Sequence, residues 1–277
     1  VDFEPAGKDH YAAGGSRITA NEIIESVWNK KHPIDLAYEW IGIKGGKQFS
    51  SSSGNVLTLN DCLEIYEPEV IRYLFASTRP NAEFAISFDL DVIKIYSDFD
   101  QTEKIYFGKE EISKEKLAKE KRIYEFSCVN IPKKMPFQAS FRHLAMLMQI
   151  YNGDVKEVNK NFDEDVEKRA IRAWNWVQKY APDDFRFKIQ EKIEVKLEDK
   201  EKKALKLLMN KLEKNKYNED SLFNEFYKIC SEVGINNTDF FKAAYKVLIN
   251  KEKGPRLASF ILAIGKEKIV KLLKGIK

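Results

Sequence analysis

From about residue 90 to the C-terminus, apolar residues recur at helical spacing with few interruptions. Phe141, Leu144, Ala145 and Met148 form one stripe; Val166, Ala170, Ala173, Trp174 and Val177 form a second. Leu205, Leu208, Met209 and Leu212 make a third, and Leu222, Phe223, Phe226, Tyr227 and Cys230 a fourth. Steps of three and four residues put such side chains on one face of a helix, which must then be buried against a neighbour. The intervals between stripes are irregular, so no TPR- or HEAT-like repeat is present. Two short helices close the chain, divided near Gly265. The charge-dense residues 188–203 read as a linker or an exposed helix start.

The front of the chain reads as α/β. Phe3 begins a strand-like segment that meets the turn Pro5-Ala6-Gly7 and then Gly14-Gly15-Ser16. Thr19 and Glu22 have the spacing of a capping box, for a helix with Ile23, Ile24, Val27 and Trp28 inward. Pro33 ends that helix, and residues 36–44 read as one buried strand. Gly45-Gly46 opens a loop that runs through four consecutive serines to Gly54-Asn55. Thr58, with Asp61 three residues on, caps a short helix. Pro68 starts another, with Val70, Ile71, Leu74 and Phe75 on one face. The expected architecture is an α/β segment over residues 1–57, a connecting region over 58–135 and a mostly α-helical domain over 136–277.

A chain of 277 residues, 43% hydrophobic and 32% charged, can bury a core beneath a charged surface. It has no apolar run long enough for a membrane span. The first residues lack the basic and apolar stretches of a signal peptide. They also lack an initiator Met, so the expectation is a piece of a longer protein. Cys62, Cys128 and Cys230 are odd in number and far apart, which suits a reducing cytoplasm and offers no zinc-binding pair. Net charge is only +4, but residues 241–277 hold ten Lys/Arg against Glu252 and Glu267, a local +8. Such a block is the electrostatic footprint of a phosphate-backbone binder, or a solvated helix surface.

Two constellations carry candidate chemistry. In residues 45–55, small residues admit close backbone approach, and N–H and hydroxyl groups, including those of Ser50, Ser51 and Ser53, can cradle phosphate oxygens. Lys47 adds a mobile cation for a pyrophosphate leaving group. The pattern is not that of a P-loop, and on composition alone it equally describes a flexible connector. The second constellation is Gly7-Lys8-Asp9-His10, directly after a strand, where ligands bind in open α/β sheets. An Asp there can accept hydrogen bonds from ribose hydroxyls, and the neighbouring His can touch a second substrate. A plain turn with a half-exposed His is the alternative.

In this order and spacing the two constellations resemble the class I lysyl-tRNA synthetases. The matching strings are residues 1–10, Tyr38-Glu39-Trp40-Ile41-Gly42-Ile43-Lys44-Gly45, Ser50-Ser51-Ser52-Ser53-Gly54-Asn55, Ile71-Arg72-Tyr73-Leu74-Phe75 and Phe88-Asp89-Leu90-Asp91. Phe99-Asp100, Tyr106-Phe107-Gly108, Gly254-Pro255-Arg256-Leu257 and Ile264-Gly265-Lys266-Glu267-Lys268 extend the likeness almost to the end. The resemblance implies the C-terminal half of such an enzyme. Residues 1–57 would be the last part of a Rossmann-type catalytic domain with its KMSKS-type loop. Residues 58–135 would be a stem-contact region, and 136–277 a helical anticodon-binding domain. The family activates L-lysine with ATP, taken as its magnesium complex, and transfers it to lysine tRNA.

By the resemblance, Gly7, Asp9, Lys44, Gly54 and Asn55 would contact ATP, and His10 and Tyr38 would line the lysine pocket. The family's loop carries two lysines. Aligned on Gly54-Asn55, their positions hold Gln48 and Ser53, so Lys47, one residue early, is the expected substitute and Lys44 a second. The HxGH signature of the class begins at none of His10, His32 or His143, so this chain alone is expected to make no adenylate. For the tRNA, splayed anticodon bases call for aromatic stacking and cations. Arg169, Arg172 and Trp176, with Trp174 on the apolar face and Trp176 off it, are the first candidates. Lys242, Lys246 and Arg256 are the second, near Phe240, Phe241 and Tyr245. A non-catalytic tRNA-binding module, or a class I synthetase of another specificity such as glutamyl, are the alternatives.

Overall fold

A computed structural model describes residues 2–44 and 58–276, which fall into two compact units, Val1–Ser140 and Phe141–Lys277. In the first unit, β1 (Phe3–Gly7) leads through a 3-10 turn (Lys8–Tyr11) into α1 (Ser16–Trp28) and then β2 (Ile34–Tyr38). β1 and β2 pair in parallel, from Phe3 opposite Ile34 to Gly7 opposite Tyr38. β3 (Ile41–Ile43) pairs in parallel with β4 (Phe84–Ile86), a separate two-stranded ladder. The single buried strand expected over residues 36–44 is therefore two strands in two ladders. The break falls at Glu39, whose N–H turns away to donate to the Pro80 carbonyl (2.8 Å).

Helix α1 starts four residues earlier than its capping-box pattern indicates, with Gly15 rather than Thr19 at the N-cap. A Cβ on Gly15 would lie 2.4 Å from the carbonyl oxygen of His10, so only glycine lets the helix start this close to the turn. The inward face expected for α1 is also overturned. Val27 is 70% exposed and Trp28 65%, and Ile23, Phe3, Ile34 and Leu36 are exposed as well. Parallel strands are ordinarily covered on both faces. Here the apolar pattern is genuine, but no described residue covers it.

The rest of the unit follows the sequence closely. Thr58 and Asp61 form a reciprocal capping box at α2 (Leu59–Leu63), and Pro68 occupies the first turn of α3 (Pro68–Ser77). α3, α4 (Asp91–Tyr106) and α5 (Lys114–Ser127) enclose an aromatic core. Tyr66 stacks on Tyr96 with ring centroids 6.0 Å apart, and Phe99 stacks on Tyr124 at 6.0 Å. The Tyr96 hydroxyl donates to the Ile65 carbonyl (2.9 Å) and accepts from the Glu67 N–H (3.0 Å), so the polar tips of these rings are used.

The second unit consists of α6 (Phe141–Ile150), α7 (Val155–Asn159), α8 (Glu167–Lys179), α9 (Asp199–Lys214), α10 (Glu219–Val233), α11 (Asn237–Ile249), α12 (Leu257–Ile264) and α13 (Lys266–Leu273). The stripes of α6 and α9 are buried as read, apart from the half-buried Met209. In α10, Leu222, Phe226 and Cys230 are core, whereas Phe223 and Tyr227 are exposed and pair with each other edge to face. Residues 188–198 are irregular, and Glu198 caps α9, so the charge-dense stretch is a connection followed by a helix start. Gly265, at φ +95°, separates α12 from α13 in a conformation that other residues adopt only with strain. Among the described residues no helix is long and apolar enough to cross a membrane.

Candidate functional site

The carboxyl ends of β1 and β2 bring four of the expected residues together. Gly7 and Tyr38 are register partners, and the turn that follows Gly7 carries Asp9 and His10. A Cβ on Gly7 would lie 3.8 Å from both His10 Cδ2 and Tyr38 Cε2, so the two rings flank the bare glycine. Tyr38 is 47% exposed, which corrects the buried-strand reading. His10 Nδ1 lies 2.7 Å from Ser16 Oγ, at the first residue of α1. Lys8 forms an ion pair with Glu39 (2.6 Å), and the hydrogen bond to that carboxylate raises the lysine's pKa.

A polar network that the sequence did not disclose holds this turn in place. Asp35, inside β2, accepts from Arg17 Nε (2.7 Å), Asn21 Nδ2 (2.6 Å) and the Tyr11 hydroxyl (3.3 Å). His32 Nδ1 lies 3.2 Å from the same carboxylate, and Arg17 also reaches Glu4 (2.7 Å). One strand residue thus ties the turn, through Tyr11, and α1, through Arg17 and Asn21, to the sheet. The Arg17 guanidinium beside Asp35 holds that carboxyl below the usual carboxylate range, and desolvation pushes the Tyr11 hydroxyl up. An Arg in a helix's first turn and an Asp in a strand look like surface charges when read singly. Their 18-residue separation hides the pairing.

Lys44 follows β3, and its N–H donates to the Ile86 carbonyl (3.0 Å). Its ammonium group lies 3.0 Å from Asp89 and also bonds Asp91. Asp89 accepts further from the Ser87 hydroxyl (2.5 Å) and the Asp91 N–H (2.9 Å). The Ser87 bond first, then the Asp91 N–H and Lys44, lower the Asp89 pKa to about 2. Lys44, expected as an ATP contact, is in this structure held by two carboxylates. A depressed carboxyl contributes stability that is complete above its unfolded pKa and is lost as pH falls through the folded one. Asp89→Asn should therefore flatten the acid limb of the stability curve between about pH 4 and pH 2. The pair is half exposed, so at neutral pH the change should stay below about 1 kcal/mol in chemical denaturation. A steeper acid limb in the variant would contradict the assignment.

Lys47, Ser50, Ser51, Ser53, Gly54 and Asn55 lie outside the described residues. Among the described residues no group of three or more His, Cys, Asp or Glu could hold a metal ion.

In the helical unit two candidates need correction. Trp176 is fully buried, with ring centroids 5.8 Å from Phe141 and 4.8 Å from Phe185, and Arg169 is also core. Trp174, assigned to the apolar face, is the half-exposed one, lying across Gly153. Both tryptophans border the Ala170–Ala173 line, one by a step of four and one by a step of three. What packs on each border decides which is buried. Arg172 stays at the surface, donating to the Lys168 carbonyl (2.9 Å). Lys242 and Lys246 both approach Glu252, at 3.6 and 3.8 Å, and Arg256 is exposed at the start of α12. Phe240 and Tyr245 are core.

Residues 1–130 match the family model of class I tRNA synthetases (K), and residues 173–276 match that of an anticodon binding domain. These matches place a class I tRNA synthetase domain and an anticodon binding domain in one chain. The chain is 46% identical over 285 residues to a lysine–tRNA ligase of Borreliella burgdorferi, an alignment covering 98% of this chain and 54% of the relative. It is 41% identical to that of Treponema pallidum, over 99% of this chain and 54% of the relative. With the ligase of Thermococcus kodakarensis the identity is 39%, over 99% and 56% respectively. The chain belongs to the class I lysyl-tRNA synthetase family. It spans about half the length of these relatives.

Proposed function

We propose that this chain is the ATP-loop and anticodon-binding portion of a lysine–tRNA ligase. In that reaction the lysine carboxylate attacks the α-phosphate of ATP and pyrophosphate leaves. A hydroxyl of the tRNA's terminal adenosine then attacks the adenylate carbonyl, and AMP leaves. The observation that carries the reading is the gathering of Gly7, Asp9, His10 and Tyr38 at the carboxyl ends of two parallel strands. Gly7 leaves room for the nucleotide, Asp9 accepts from its ribose hydroxyls, and His10 and Tyr38 flank the amino acid. Lys47, with the hydroxyls of Ser50, Ser51 and Ser53 and the backbone of Gly54-Asn55, meets the triphosphate and its magnesium ion. We assign residues 1–57 to the catalytic domain, 58–135 to stem contacts and 136–277 to anticodon binding. A cytoplasmic location goes with that role.

The helical unit's part is tested by titrating the chain with lysine tRNA and with an anticodon-swapped version at two salt concentrations. The expected result is weaker binding of the swapped RNA, with both affinities falling as salt rises. Alanine at Arg172, Lys242, Lys246 or Arg256 should weaken both RNAs alike. Each should also flatten the log–log salt dependence by about one unit per lost phosphate contact. Glu252→Gln should act the other way, because it releases Lys242 and Lys246. Equal affinity for the two RNAs would reduce the role to charge alone, and no binding at low salt would remove it.

A further inference from the structure

The contact between Ser16 and His10 has no role in the scheme above, and its chemistry is specific. We propose that Ser16 is a positioning residue for the amino-acid pocket, holding His10 in the tautomer whose Nε2 accepts a hydrogen bond from a substrate ammonium group. The proposal rests on the lysine reading of this site, because that substrate is what demands an acceptor.

A neutral imidazole has one N–H and one acceptor nitrogen, and the partner of one nitrogen fixes the role of the other. Ser16 Oγ lies 2.7 Å from His10 Nδ1. A serine hydroxyl can donate or accept, so this contact fits either tautomer. The opposite side of the ring decides. Lysine brings two ammonium groups, which only donate. An Nε2–H facing such a group would set donor against donor. Nδ1 must therefore carry the proton and give it to Ser16 Oγ, which leaves the Nε2 lone pair for the substrate.

The surroundings keep Ser16 where this requires it. It is the first residue of α1, and the glycine before it sits against the His10 carbonyl so closely that a Cβ would overlap it. The next residue, Arg17, is bonded to Asp35 and Glu4, and Tyr11 on the other side of His10 bonds Asp35 too. The hydroxyl and the ring are thus carried on two segments tied to one strand carboxylate. Among the described residues, the Ser16 hydroxyl is the side chain within hydrogen-bond distance of the ring.

Histidine occurs only three times in the chain, at positions 10, 32 and 143, so ring-nitrogen NMR with labelled histidine is tractable. His10→Gln identifies the His10 signals. With saturating lysine in the sample, the expected result at neutral pH is a protonated Nδ1 and a bare Nε2 for His10. Ser16→Ala should shift the ring toward a tautomer mixture, and Ser16→Thr should restore it. In the full-length ligase, Ser16→Ala should raise the KM for lysine about fivefold, the effect of one ordinary hydrogen bond. The KM for ATP and kcat should stay near their original values, and Ser16→Thr should rescue. An Nε2-protonated ring, or a ring unmoved by Ser16→Ala, overturns the proposal, as does a lysine KM that does not change. If the ligase does not use lysine at all, the lysine reading fails, and the ring spectra still decide whether Ser16 sets the tautomer.

Discussion

Lys47→Ala in the full-length ligase should lower kcat and kcat/KM for lysine-dependent pyrophosphate exchange together, by about 10²-fold. The family's loop supplies two lysines to the phosphates, and in register with Gly54-Asn55 this chain has Gln48 and Ser53 there instead. Two other cations are close in sequence. Lys44 is held by Asp89 and Asp91, so it is committed to the junction of β3 and α4. Lys47 remains as the cation for the leaving group. A charge that meets the phosphates chiefly in the transition state lowers the chemical step without weakening ground-state ATP binding to the same degree. Lys44→Ala should be milder, within about tenfold, because it loosens a half-exposed ion pair. A silent Lys47→Ala beside a damaging Lys44→Ala would show that the loop register is wrong.

Trp176→Ala should destabilise the helical unit by about 3–5 kcal/mol, the usual range for removing a large buried aromatic. The Trp176 ring is fully buried between Phe141 and Phe185, so its removal leaves a cavity bordered by α6 and α8. The corresponding fall in Tm is on the order of 10 °C. Trp174→Ala should cost less, since that ring is already half exposed. Below its melting temperature the Trp176 variant should still distinguish lysine tRNA from the anticodon-swapped RNA. A folded Trp176→Ala protein that loses this discrimination without losing stability would return Trp176 to the RNA contacts.

Much of the architecture was legible because it depends on local rules. The capping box of Thr58 and Asp61, the helix start at Pro68 and the stripes of α6 and α9 need only near neighbours in sequence. The errors came where the outcome depends on what lies opposite. Ile23, Val27 and Trp28 make a proper apolar face, but no described residue covers it. Residues 36–44 are mostly apolar and read as one run, yet their two halves pair with strands on opposite sides of them in sequence. Trp174 and Trp176 were interchanged because both border one stripe.

The candidate site divides in the same way. Asp9, His10 and Tyr38 were readable from their place after strand-like segments and from the family likeness. Ser16, Arg17 and Asp35, which hold them, belong to the fold of the turn against α1 and β2. No spacing rule connects residue 17 to residue 35; the parallel pairing of β1 with β2 does.

The most direct measurement is amino-acid-dependent ATP–pyrophosphate exchange by the full-length enzyme, run across the twenty amino acids beside the 277-residue chain alone. The account predicts exchange with lysine for the full-length enzyme and none for the chain alone. Exchange driven by glutamate or another amino acid, or lysine-dependent exchange by the chain alone at the full enzyme's rate, would contradict it.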